Sequence, residues 1–167
     1  HAYLIARATE QCEDFKKVGK HCHQLDRQLE FITADVTNAE EMNEAMQYIE
    51  KDSSTGTVDV CVANAGIMQS YPAMDYPVDE FRKVLEVNTV GVFITAQAAA
   101  RVMRNNPNVS GSIILTASMS GTVVNRDQSW VAYNTRKSAV LQLGPNLGAE
   151  GGPDKRRVDT LSAGHVR

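Results

Sequence analysis

The stretch "TVDVCVANAG", residues 57–66, decides the fold. Its apolar residues run without alternation until Asn64-Ala65-Gly66 break them, the pattern of a strand buried on both faces, as in a parallel sheet. Similar runs stand on either side. "AYLIA" (2–6) and "GSIILTAS" (111–118) read as buried strands, "LEFITADVTN" (29–38) as an alternating strand that ends at Asp35, and "RRVDTLSAG" (156–164) as a short final strand. Helical stretches lie between them. Met42, Ala45, Met46 and Ile49 recur at helical spacing behind Asn38, an N-cap with acids in the first turn. The segment from Val78 to Asn106 reads as one long or broken helix with Asn88 and Gly91 inside it, and "VAYNTRKSAVLQL" (131–143) as another. Strands alternating with helices predict βαβ units: an α/β domain, a doubly wound parallel sheet with helices on both faces.

Ligands of such sheets bind beyond the carboxyl ends of the strands. Polar residues gather there: Asp35 at the end of one strand, Asn64 to Gly66 at the next, Ser118 at a third. Downstream, "YNTRK" places Tyr133 four residues before Lys137, on one face of a helix. An ammonium beside a phenol favours the phenolate and so suits a proton donor or acceptor near neutrality. Taken alone the pair favours the plainer reading, a surface helix carrying two common residue types.

Length and composition set bounds. The chain has 167 residues, 43% of them hydrophobic and 22% charged, which fits one globular domain. A net charge of −3 gives no basic footprint for nucleic acid, and no apolar run approaches the roughly 18 residues of a membrane span. Three cysteines without paired spacing point to a reducing, cytoplasmic setting. "HCH" (21–23) lacks a second ligand cluster and reads as a polar helix end rather than a metal site. The first residue is His1 rather than Met, which reads as a trimmed, processed or incomplete chain.

Five pieces in order, "ADVT" (34–37), "ANAG" (63–66), "NTVG" (88–91), "ASMSG" (117–121) and "YNTRK" (133–137), resemble the short-chain dehydrogenase/reductase family over nearly the whole chain. The spacing between Ser118 and Tyr133 looks like that of fungal mannitol, sorbose/xylulose and arabinitol enzymes. The resemblance implies a Rossmann-like sheet and hydride transfer between a nicotinamide cofactor and a carbonyl/alcohol pair, with Asn88, Ser118, Tyr133 and Lys137 as the catalytic set. It also implies cofactor contacts at Asp35, Val36, Asn64, Ala65, Gly66, Tyr133 and Lys137. Arg7, just past the first strand and with no acid next to it in sequence, favours NADP(H) over NAD(H). A small-molecule substrate and, for a full-length chain, a homo-oligomer follow from the same resemblance. Met119, Trp130, Asn125 and Gln128 read mainly as packing or loop residues that border the site.

The chain also departs from the family. The glycine-rich turn T-G-x-x-x-G-x-G is not found, so the first βα unit, which supplies the central strand, is expected to be missing, as is the C-terminal portion. Gly144, Pro145 and Gly148 stand in a helix where helix formers are usual, and Asp159 and Ala163 replace the family's Asn and Pro. The competing expectations are therefore an oxidoreductase and an inactive relative serving as an interaction or regulatory subunit. A cofactor-independent isomerase or cyclase ranks last.

Overall fold

The computed structural model describes residues 1–7, 12–106 and 110–164. The start of the polar stretch after Arg7 and the chain's last three residues lie outside these. Among the described residues the strands are β1 (Ala2–Ala6), β2 (Leu29–Thr33), β3 (Val60–Ala63), β4 (Gly111–Thr116) and β5 (Arg156–Leu161). The α-helices are α1 (Glu13–Gln24), α2 (Ala39–Asp52), α3 (Val78–Leu85), α4 (Gly91–Asn105) and α5 (Val131–Gly151). Every strand pair is parallel, as expected. The strands form two sheets, β1–β2 and β3–β4–β5, separated between β1 and β3.

Local chemistry explains the helix boundaries. Asn38 caps α2 by accepting from the amides of Glu40 (3.0 Å) and Glu41 (3.3 Å). That satisfies donors which the first helical turn leaves free. The residues at helical spacing in α2, Met42, Ala45, Met46 and Ile49, are its buried ones. Between α3 and α4 the helix widens into one π-turn, Glu86–Val90, with Asn88 inside. The expected broken helix is therefore a π-bulge, a local insertion that re-aims side chains. No α-helix among the described residues is long and apolar enough to cross a membrane.

The core lies between the helix layer of α2, α4 and α5 and one face of the strands. Met42, Ala99 and Met103 pack there with Cys61, Ala63, Ile113, Leu115 and Val140. On β2, Phe31 meets Phe15 of α1 edge-on at 5.4 Å. The expectation that 57–66 is buried on both faces is corrected. Strand β3 is shorter and alternates, with Cys61 and Ala63 buried but Val60 58% and Val62 55% exposed. The cause is one-sided cover: α2 and α4 pack on the first pair, and no described helix covers the second.

Candidate active site

Each expected site residue sits at a carboxyl end of a strand or on a helix facing one. Ser118 follows β4 by two residues and is buried. Its Oγ accepts from the amide of Ser120 (3.2 Å), capping the short 3-10 turn Met119–Gly121. Tyr133 lies in the first turn of α5, and both residues line a cavity of about 160 Å³ together with Met68, Met119 and Trp130. The Trp130 ring stands 5.8 Å from that of Tyr133. Met119 and Trp130 are thus wall residues of the cavity rather than remote packing. Asn125 and Gln128 are not in its wall; the Gln128 amide donates to the Asn125 carbonyl (3.4 Å) and closes a loop turn.

Lys137 lies one turn along α5 from Tyr133, 8% exposed, its Nζ 5.8 Å from the Tyr133 ring centroid. The ammonium donates to the carbonyl of Thr116 at the end of β4 (2.5 Å). Burial and the neighbouring positive charge of Arg136 bring its pKa down to about 8. Gly121 sets how near the helix comes. A Cβ there would fall 2.8 Å from the backbone of Lys137, so only glycine lets the Ser118 turn rest on α5. Ser138 adds a hydrogen bond to the Gly121 carbonyl (2.6 Å).

Asn88 is 1% exposed. Its Oδ1 accepts from the Ile67 amide (2.8 Å), and its Nδ2 donates to the carbonyls of Ile67 (3.0 Å) and Val84 (2.7 Å). The side chain therefore ties the loop after β3 to the π-turn. Gly66 meets the Asn88 amide where a Cβ would stand, which accounts for glycine at that position.

Of the residues expected to hold a cofactor, Arg7, Asp35, Val36, Asn64, Ala65 and Gly66 line a second, larger cavity of about 1000 Å³, whereas Tyr133 and Lys137 do not. Asp35 accepts from the amide (2.9 Å) and hydroxyl (2.7 Å) of Thr37, and these bonds, with Arg7, hold its carboxyl below the usual carboxylate range. Arg7 has no acid beside it in sequence, yet the parallel pairing of β1 with β2 brings its Nη1 to 3.6 Å from Asp35. Val36 packs on Gly91, where a Cβ would lie 2.8 Å from its Cγ2. His21 and His23 sit in the last turn of α1, away from both cavities.

Sequence reasoning passed over Arg136. It is 5% exposed, with its guanidinium carbon 4.0 Å above the Tyr133 ring centroid. Burial lowers its pKa to about 10. The signal was present: position 136 is i+3 from Tyr133 and shares its helix face.

The sequence profile of the family described as enoyl-(acyl carrier protein) reductase matches residues 4–167. A D-arabinitol 2-dehydrogenase (ribulose-forming) of Candida tropicalis is 40% identical over 64% of this chain and 38% of its own. A probable NADP-dependent mannitol dehydrogenase of Yarrowia lipolytica is 38% identical over 78% of this chain and 46% of its own. An NADH-dependent L-xylulose reductase of Ambrosiozyma monospora is 29% identical over 79% of this chain and 48% of its own. Among solved structures, a short-chain type dehydrogenase/reductase from Mycobacterium marinum superposes with a TM-score of 0.89 at 32% identity, covering 98% of this chain and 64% of that one. The chain thus spans 38% to 48% of the length of these three curated relatives.

Proposed function

The chain belongs to the short-chain dehydrogenase/reductase family, and from that premise we propose that it carries the catalytic half of an oxidoreductase. The reaction is hydride transfer between NADP(H) and a ketose or polyol, with Tyr133 as general acid and base. One observation carries the reading: Ser118 and Tyr133 open into one small cavity, with the buried Lys137 ammonium one helical turn behind the phenol.

The residues fit a nicotinamide dinucleotide. Arg7, with 72% of its side chain exposed, can meet a ribose phosphate on the solvent side of Asp35. When bound, that cofactor supplies or accepts the hydride. In reduction Tyr133 gives its hydroxyl proton to the carbonyl oxygen, and Ser118 Oγ hydrogen-bonds the same oxygen to fix its orientation. Lys137 stabilises the negative charge left on the phenol oxygen and offers an N–H to the cofactor ribose. Asn88 positions the Gly66–Met68 loop, and its Oδ1 keeps a lone pair for a water that passes protons to Lys137. Arg7 favours NADP(H), and a full-length chain is read as a homo-oligomer.

The test is NADPH oxidation with xylulose, sorbose and ribulose, read at 340 nm beside an NADPH fluorescence titration. Tyr133→Phe should lower turnover by about 10²–10⁴-fold with nucleotide affinity within about twofold of the parent. Equal turnover in the two proteins would rule the mechanism out. A second reading, a non-catalytic interaction or regulatory subunit, is favoured by the opening between β1 and β3, and would show as nucleotide-independent behaviour in both assays.

A further inference from the structure

Arg136 is a buried cation that the proposed mechanism does not use. It is 5% exposed, and its guanidinium carbon stands 4.0 Å over the centroid of the Tyr133 ring. It lines neither cavity, so it meets that ring from the protein side. Its Nε has no hydrogen-bond partner, and no carboxylate among the described residues forms an ion pair with it. The end of the guanidinium fork lies by Gly66, where a Cβ would fall 3.4 Å from Nη1. The Asn88 amide beside Gly66 makes its three bonds with Ile67 and Val84 instead.

A buried charge without a carboxylate is costly. Burial accordingly lowers the guanidinium's pKa to about 10, and the opposing pull comes from Tyr133. The negative face of an aromatic ring attracts a cation held over it. That attraction grows when the hydroxyl loses its proton, because the phenolate charge spreads into the ring. Lys137 stands further off, its Nζ 5.8 Å from the same centroid, and its pKa, about 8, lies below that of Arg136. At about pH 9 the ammonium is therefore mostly neutral while the guanidinium keeps its charge. These two are the charged groups that face Tyr133. Acids on the elements packed against α5 are engaged elsewhere or solvated: Asp79 pairs with Arg82, Glu80 bonds to Gln69, Asp159 pairs with Arg157, and Glu86 is exposed.

From this geometry we infer that Arg136 is a positioning residue for Tyr133, a fixed cation against the ring that orients the phenol and stabilises it once its proton has passed to the carbonyl oxygen. Lys137 is thereby left free to exchange protons with solvent. The inference rests on the reading of Tyr133 as general acid and base, and adds to it a second cation with a separate task. It also accounts for a charge kept at a place where an apolar side chain would pack at lower cost.

The experiment follows the Tyr133 phenol directly, by carbon-13 NMR of the 167-residue chain labelled at the hydroxyl-bearing ring carbon of tyrosine. Tyr133→Phe identifies the resonance. Urea midpoints and NADPH oxidation with xylulose are measured on the same proteins. Arg136→Met should lower the phenolate fraction at about pH 10 by about tenfold, and by more in a Lys137→Met background, where no second cation compensates. Arg136→Lys should recover at least about half of the loss. The urea midpoint of Arg136→Met should equal or exceed the parent's, since an unpaired buried charge gives way to an apolar side chain. Turnover should fall about tenfold with NADPH affinity within about twofold of the parent. A residue that served packing alone would lower the midpoint and leave the phenol unchanged. Equal phenolate fractions in the parent and Arg136→Met overturn the inference, whatever the turnover. So does a lowered fraction that Arg136→Lys fails to restore, because the loss is then one of packing. A phenol that responds to Arg136 in a chain without turnover supports the charge pairing and counts against hydride transfer instead.

Discussion

Asn88→Ala separates positioning from proton relay more sharply than any other single change. The side chain is 1% exposed and makes three hydrogen bonds. Removing it takes a buried side-chain donor from the Val84 carbonyl and empties the space it filled, which costs about 1–3 kcal/mol. The Ile67 amide and carbonyl lie in the partly exposed loop after β3 and recover some water, so each loss is about 1 kcal/mol. The sum is roughly 3–5 kcal/mol, a large part of the total stability of a domain this size. At about 2–4 °C per kcal/mol the melting midpoint falls by roughly 6–20 °C. Circular dichroism through a urea gradient and a thermal ramp measures it. Asn88→Asp provides the cross-check. A carboxylate still accepts from Ile67, but it donates to neither carbonyl and brings a charge into a buried place, so it should be no milder than Ala. A pure relay residue would behave otherwise: both variants would keep the parent's midpoint and lose only turnover. A midpoint shift under about 2 °C for Asn88→Ala refutes the positioning argument.

Lys137 makes stability depend on pH. Its folded pKa, about 8, lies below the ordinary 10.5, so between these values the folded state holds fewer protons than the unfolded one and stability rises with pH across that window. Urea midpoints from pH 7.5 to 10.5 should increase, and Arg136→Met, by removing the adjacent positive charge, should raise the Lys137 pKa and flatten the rise. A midpoint that falls over the same range contradicts the assignment. Gly144→Ala drives a Cβ into the Thr160 methyl and should destabilise by about 1–3 kcal/mol in urea melts, whereas Gly152→Ala, which meets nothing within 4 Å, should stay within about 0.5 kcal/mol of the parent. Arg7→Ala loses an exposed ion pair and should change stability by less than about 1 kcal/mol; in nucleotide titrations it should weaken NADPH more than NADH, and equal weakening would remove Arg7 from cofactor choice.

The parts of the fold written in local periodicity were legible. Asn38 as a cap, the buried face of α2 and the span of β1 all stand where the pattern put them, although β1, expected to be buried, has no fully buried residue. The helix break at Asn88 was legible as a break but not as a π-turn, because its cause is tertiary: the Asn88 amide reaches across to Ile67. Gly144, Pro145 and Gly148 read as faults in a helix, yet α5 continues through Gly151. The Thr160 side chain fills the place a Cβ at 144 would take, and Val158 lies over Gly148. Glycine there trades helix propensity for close contact with β5, and packing against the sheet outweighs propensity. Asp35 beside Arg7 was hidden for the same kind of reason. Residues 28 positions apart in the chain meet only because β1 and β2 pair in parallel register.

Strand β3 carries the same lesson in the opposite direction. Every residue from Val60 to Ala63 is apolar, which is a sequence for cover on both faces, while Val60 and Val62 are more than half exposed. Burying two valines is worth about 1.5–3 kcal/mol each, and leaving them in water forgoes that stabilisation. Composition alone therefore overstates the burial of β3: the apolar run reports what the side chains are made of, while cover depends on α2 and α4 lying on the Cys61 and Ala63 face alone.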